Sequence, residues 1–324
     1  MLYLEYPSWI SPVVVPGLPI RWYGLMYLVA FAVAYAMFMR QVKEREIDTD
    51  SDTVLSVFTW TIVGLMIGAR VFSAFVYEPD GRYLTRPWLI FWPFDEEMNL
   101  VGLRGMSYHG GLIGAAAGFI VSTRLKRIDT LDWGDMLVSG IPLGFTFGRI
   151  GNFINGELYG RVTTAPWGML FPNARRLPAE ESWVQEIAAE VGITIAAVQR
   201  SVNLPRHPSQ LYQAMLEGVI LWAILWFVFR TRARFRGFMV SVYLMGYGIA
   251  RFIGEYFREP DPALGFRIRL SPIPNPPALL LTPWNFTTGQ VLSALMILAG
   301  IACFVLFRRH DRRRPSAGSS AGSA

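Results

Sequence analysis

The chain has 324 residues but a single cysteine, Cys303, and three histidines. One thiol cannot close an internal disulfide, and near the end of a long apolar run it is a packing residue before it is a nucleophile. The histidines form no H-E-x-x-H run and no Cys/His cluster, so neither a metal nor another cofactor is expected. The first twenty residues lack a basic n-region and an A-x-A-like site, so the first apolar run should insert as an uncleaved anchor. No internal repeat is visible, against the expectation for a transporter built from paired halves. Residues 288–307 lack the lysine a retinal protein needs. Ser139 has Leu137 two positions before it, not the glycine of an intramembrane serine protease.

What is present is apolar sequence. With 52% hydrophobic residues and a mean hydropathy of +0.33, the chain is too apolar for a soluble domain. Its apolar windows are long enough to cross ~30 Å of hydrocarbon at 1.5 Å per residue. Seven windows qualify, near Trp22 to Met39, Thr53 to Tyr77, Met106 to Thr123, Asp135 to Ile154, Ser209 to Phe229, Gly237 to Phe257 and Thr288 to Phe307. The expected fold is an all-α integral membrane bundle of seven transmembrane helices. Short connections after the odd-numbered windows carry Arg40, Lys43 and Arg45; Arg124, Lys126 and Arg127; Arg230, Arg232, Arg234 and Arg236; and Arg308, Arg309, Arg312, Arg313 and Arg314. Those sides should be cytoplasmic, placing the N-terminus outside and the C-terminus inside. The net charge of +6 is then a topology signal that also meets anionic lipid, and no nucleic-acid partner is expected.

The expected bundle occupies residues 1–312. An outer arm at about 78–105 holds Trp88, Phe91, Trp92 and Phe94 and suits the membrane interface. An outer head at about 158–208 includes a mixed run, Ala179 to Gln199, that predicts a surface helix with solvated carboxylates. The outer loop at about 259–283 is too proline-rich for regular helix, and the Ser/Ala/Gly tail, 313–324, is expected to be a disordered cytoplasmic segment. Small residues recur every four positions at Gly110, Gly114 and Gly118, at Gly140, Gly144 and Gly148, and at Gly246, Ala250 and Gly254, which predicts close helix packing. Pro142 predicts a kink in the fourth helix.

The polar residues converge on one depth. Residues 136–148 carry no charge, and Gly148 to Glu157 (GRIGNFINGE) then brings a guanidinium, two amides and a carboxylate together. Such groups either snorkel to an interface or line a polar cavity. Arg149 and Arg251 each lie about 14 residues, hence ~21 Å, from the inner start of their helices, in the outer third of the bilayer. Tyr247, Arg251 and Glu255 are four apart and share a face, so an Arg251–Glu255 ion pair is the plain structural expectation. Tyr23, His109, Asn152, Asn155 and Glu157 fall at the same outer side.

G-R-I-G-N-F-I-N-G-E-L-Y-G (Gly148 to Gly160) resembles the signature of bacterial prolipoprotein diacylglyceryl transferases. Four further blocks follow the same family: R-W-Y-G-L-M-Y (Arg21 to Tyr27), G-M-S-Y-H-G-G-L-I-G (Gly105 to Gly114), R-H-P-S-Q-L-Y (Arg206 to Tyr212) and G-Y-G-I-A-R-F-I-G-E-Y-F-R-E-P-D (Gly246 to Asp261). Gln213 departs from the glutamate usual after L-Y, with Glu217 one turn on. The resemblance implies transfer of an sn-1,2-diacylglyceryl group from phosphatidylglycerol to the lipobox cysteine of a prolipoprotein, leaving a thioether and glycerol phosphate. It implies a multi-pass protein of the bacterial inner membrane, acting at the outer leaflet on a lipid and a signal peptide. A monomer is expected. The resemblance carries Arg149, Arg251, Tyr23, His109 and Tyr247 into the catalytic set and Asn152, Glu157 and Gly160 into the substrate-binding set; by their chemistry Arg149 and Arg251 are expected to clamp the phosphate, and Asn155 to add an amide donor for the substrate. A thiol must displace a phosphodiester from an sp3 carbon, which calls for thiolate and fixed positive charge, and arginine holds phosphate bidentately. His109 can be the base; it can equally fix a helix start while the arginine field generates thiolate. Glu157 is expected to orient an arginine, and His207 ranks below these. The alternative is a non-catalytic lipid-binding or transport protein.

Overall fold

The structure, a computed structural model, describes residues 2–17, 20–77, 81–94, 97–99, 105–260, 265–272 and 278–313, with the side chains of Tyr77, Tyr108 and His109 outside that set. The expected tail beyond residue 313 and much of the proline-rich loop also lie outside it. The chain is mostly helical and divides into two compact units, residues 39–133 and residues 1–38 with 134–324.

The smaller unit holds α2 (Ser51–Phe72), which continues as a π-helical turn over Ser73–Tyr77, the short α3 (Arg82–Thr85), a 3-10 turn (Pro87–Phe91) and α4 (Tyr108–Leu125). Asp50 caps α2 through the Thr53 amide, and Ser107 caps α4 through the Gly110 amide. Gly64 and Gly68 pack backbone to backbone on Gly110, Gly114 and Gly118, so a methyl group at these positions would strike a carbonyl of the facing helix. Arg70 is buried and donates to the carbonyls of Ile90 and Gly105, tying the arm to the entry of α4. Trp88, Phe91 and Trp92 of the arm are exposed, as suits rings at a lipid interface.

The larger unit opens with α1 (Trp22–Glu44), whose last residues pass into the smaller one. The chain returns through α5 (Thr130–Val138) and α6 (Ile141–Ile154). The fourth apolar window is thus two helices, which corrects the single kinked helix expected. The break falls at Ser139 and Gly140, and Pro142 sits in the first turn of α6, where its missing N–H costs no bond. Gly140, Gly144 and Gly151 face Met37, Ala30 and Tyr23 of α1. α8 (Ser209–Gln213) runs without interruption through a π-helical stretch (Ala214–Ile220), α9 (Leu221–Ala223) and a second π-helical stretch (Ile224–Phe229). α10 (Phe238–Gly254) begins where the buried Asp135 carboxylate accepts the amides of Gly237 and Val240 at 2.8 and 2.9 Å, an anion at the positive end of the helix. α11 (Thr288–Arg312) opens with a capping box between Thr287 and Gln290.

Among the described residues, four helices are long and apolar enough to cross a membrane: Trp22–Glu44, Ser51–Val76, Ser209–Arg232 and Thr288–Arg312. Gly110–Leu125 and Phe238–Gly254 are shorter apolar helices. This is a helical membrane protein.

Among the described residues, three two-stranded ladders hold segments outside the helices. β1 (Leu4–Glu5) pairs in parallel with β2 (Met169–Leu170), β3 (Leu177–Pro178) antiparallel with β4 (Ser201–Val202), and β5 (Phe266–Arg269) antiparallel with β6 (Asn285–Thr287). The helix expected over Ala179 to Gln199 is only α7 (Ser182–Glu190), because Gly192 at φ 77° takes the chain out of it. Val184 and Ala188, one turn apart, pack with Val162, Leu177, Val202, Leu204, Ala278 and Leu279 as a small core. Glu180, Glu181, Glu186 and Glu190 are exposed.

Candidate active site

Arg149 lies near the end of α6, with its guanidinium carbon 4.6 Å from the centre of the Phe145 ring one turn back. It donates from Nη1 to Asn152 Oδ1 at 3.4 Å, and its buried Nε has no partner. Asn152 Nδ2 donates to Glu157 Oε1 at 2.9 Å, and Asn155 Nδ2 reaches the same oxygen at 3.4 Å. Glu157, expected to orient an arginine, reaches Arg149 only through the Asn152 amide. No carboxylate pairs with Arg149 among the described residues. Tyr23 packs on Gly151, shares a 2.9 Å hydrogen bond with the Tyr27 hydroxyl and meets the Asn152 side chain.

Phe145 connects this corner to α10. Its ring stands edge-on to the buried Tyr247, centroids 5.8 Å apart and planes at 88°. One turn after Tyr247, Arg251 pairs with two carboxylates: Nη1 donates to Glu217 Oε1 at 3.4 Å, and Nη2 lies 2.9 Å from Glu255 Oε2 as an ion pair. Glu217 comes from the π-helical stretch after α8 and is fully buried. Glu255 is fixed in turn by the Thr287 hydroxyl at 3.1 Å and by Arg258 at 3.7 Å. The Arg251–Glu255 pair expected from spacing is present, and Glu217 is a second partner that spacing along α10 could not show. Gln213 is buried beside Glu217 with both amide atoms unpartnered.

Below the tip of α6 the chain turns sharply. Gly156 and Leu158 have φ of 63° and 54°, a left-handed backbone that costs a non-glycine residue ~1–2 kcal/mol. The Tyr6 hydroxyl meets the terminal carbonyls of α6, Phe153 and Ile154, at 2.9 Å each. Gly160 is wedged between the carbonyls of Phe257 and His207, so its lack of a side chain serves backbone approach. Beyond it, Arg206 is fully buried against Glu259 and over the Tyr159 ring, and Arg161 donates to the carbonyls of Arg258 and Leu279. Burial and then the neighbouring Arg161 charge push the His207 imidazole down to about 4; burial lowers Arg161 itself to about 10. His207 packs against Tyr212 and Phe257 and is neutral at pH 7.

Arg149, Asn152, Asn155, Glu157, Tyr23, Tyr247 and Arg251 therefore belong to one unit and form two linked clusters. His109 falls in the first turn of α4, in the other unit, and its side chain lies outside the described residues.

The sequence that builds these two clusters matches a known family. The family model of prolipoprotein diacylglyceryl transferases matches residues 12–306. The chain belongs to this family. Among its relatives, the phosphatidylglycerol--prolipoprotein diacylglyceryl transferase of Treponema pallidum is 50% identical, covering 96% of this chain and 98% of its own. That of Treponema denticola is 45% identical over 97% of both chains, and that of Chlorobaculum tepidum 38% identical over 92% of this chain and 90% of its own. Such coverage extends beyond the membrane core to the head and the loops.

Proposed function

We propose that this chain transfers the sn-1,2-diacylglyceryl group of phosphatidylglycerol to the thiol of a prolipoprotein's lipobox cysteine. The observation that carries the reading is the pair of arginines on α6 and α10, joined through Phe145 and Tyr247 and surrounded by amides and carboxylates, in a chain whose relatives bear that activity in their names. Arg149 and Arg251 hold the phosphate oxygens. Asn152, Asn155 and Glu157 receive the lipid's hydroxyls, Tyr23 and Tyr247 line the reacting centre, and Gly160 lets the turn below α6 close. In the transfer a carbon–sulfur bond forms at the glyceryl carbon as its carbon–oxygen bond to phosphate breaks. The thiol proton passes to His109, and glycerol phosphate leaves with the electron pair, its charge met by the arginines.

All seven apolar windows cross the bacterial inner membrane as a monomer, with the N-terminus outside. The arm, the head and the site face the outer leaflet, where lipid and signal peptide enter sideways from the bilayer. A cysteine introduced at Ser182, in a Cys303→Ser background, is then expected to react with an impermeant thiol reagent in intact cells, and one at Ser316 is not.

The activity is tested with purified protein in phosphatidylglycerol bilayers and a peptide bearing a lipobox cysteine. Mass spectrometry is expected to find the peptide carrying a diacylglyceryl thioether; unmodified peptide would overturn the reading. His109→Gln is expected to be severely impaired at pH 7 and to recover partly toward pH ~8.5, where solvent generates thiolate. Full activity at pH 7 would remove His109 from proton transfer.

A further inference from the structure

The turn that carries Glu157 is held by a block 46 to 53 residues further along the chain. Gln210 donates from Nε2 to the Glu157 carbonyl at 2.6 Å, and Ser209 donates from Oγ to the Leu158 carbonyl at 3.1 Å. Arg206 donates from Nη1 to the Gly160 carbonyl at 3.3 Å, while the Gly160 amide donates to the His207 carbonyl at 2.8 Å. All three donor side chains are fully buried. They grip a stretch with little reason to hold its shape alone, since Leu158 at φ 54° is in a conformation its Cβ disfavours. What the turn presents is the Glu157 carboxylate, which binds the amides of Asn152 and Asn155, and Asn152 in turn accepts from Arg149.

We propose that Gln210 and Ser209 are positioning residues: they fix the Glu157 turn and, through Glu157 and Asn152, the orientation of Arg149. This deepens the transfer reading and rests on it. Gln210 is present for its donor. Its buried Oε1 has no partner, so half of its amide gains nothing from burial, and an apolar side chain of the same length fills the space as well. A residue kept only for packing would be better replaced by such a chain. The long-range bonds also offset the strain of Leu158 at φ 54° beside the site.

The test is a double-mutant cycle in the thioether assay, with Gln210→Met and Glu157→Gln made singly and together. Gln210→Met keeps the volume and loses the donor, so its melting temperature is expected to stay within a few degrees of wild type. Its kcat is expected to fall about tenfold with the KM for phosphatidylglycerol little changed, and the same substitution in the Glu157→Gln background to cost less than about twofold. Ser209→Ala, a smaller change, is expected to lower kcat about threefold with the same dependence on Glu157. Hydrogen exchange at the Glu157 and Gly160 amides, which are bonded to the Asn152 and His207 carbonyls and need no turnover to be read, is expected to quicken in both variants. Equal losses in both backgrounds, or unaltered exchange at the turn, would overturn the positioning role while leaving the transfer reading intact. A wild-type protein that forms no thioether would overturn the transfer reading and this proposal with it.

Discussion

Two arginines on helices that meet through Phe145 and Tyr247 live in opposite surroundings. Arg251 is bracketed by Glu217 and Glu255, and Glu255 is itself pinned by Thr287 and Arg258. Arg149 has one amide oxygen at 3.4 Å, a ring face and a buried Nε without a partner. A guanidinium between two carboxylates is fixed in direction and largely neutralised; one resting on neutral groups keeps its charge for an incoming anion. In the proposed phosphate clamp, Arg251 is then the rigid half and Arg149 the electrostatic half. Aromatic contact between Phe145 and Tyr247 joins their two helices.

If that division holds, removing the uncompensated charge costs most. Arg149→Gln is expected to lower kcat/KM by at least about 100-fold, the loss of two charge-assisted contacts at ~1.5–3 kcal/mol each. Arg251→Lys keeps charge but loses the planar fork that spans two carboxylates, and about a tenfold loss is expected. Equal losses at the two positions, at equal expression, would break the comparison. Glu217→Gln removes one bracket and leaves Arg251 more positive, so turnover is expected to change by only about threefold and the KM for phosphatidylglycerol to fall. A rise in that KM would mean that Glu217 aims the arginine and does not temper it.

The smallest effect lies outside the clamp. His207 protonates near pH 4 in the fold but near 6.5 in an unfolded chain, so the unfolded state takes up the proton first. Its share of stability is complete above pH ~6.5 and is lost as pH falls toward 4. Thermal unfolding of the solubilised protein is expected to show a declining melting temperature over that window, and His207→Gln to flatten part of the decline without altering transfer at pH 7.

Local signals exposed most of the helices and half of the site. Apolar length located the helical segments, because hydrocarbon thickness imposes it on each segment separately. Four-residue spacing placed Tyr247, Arg251 and Glu255 on one face, and the Gly148 to Glu157 run named the Arg149 corner outright. The break before α6 was missed because Pro142 signals a disturbance without saying whether it bends a helix or begins one. α7 ended early because a mixed apolar run continued past the glycine that stops it. Glu217, Gln210, Ser209 and Tyr6 act across long sequence separations, through bonds to carbonyls or to a distant side chain. No spacing rule within one element can reveal such partners. Asp135 is the same kind of case, an acid that caps a helix through an amide 102 residues later.

In the proposed transfer, Arg149 and Arg251 grip one phosphate. An experimentally determined structure of the protein with bound phosphatidylglycerol tests it most directly. Both guanidinium groups are expected within ~3 Å of oxygens on the same phosphate, with Arg251 still paired to Glu255 and Arg149 turned from Asn152 toward the lipid. A phosphate bound elsewhere, with both arginines keeping only their protein partners, would contradict it.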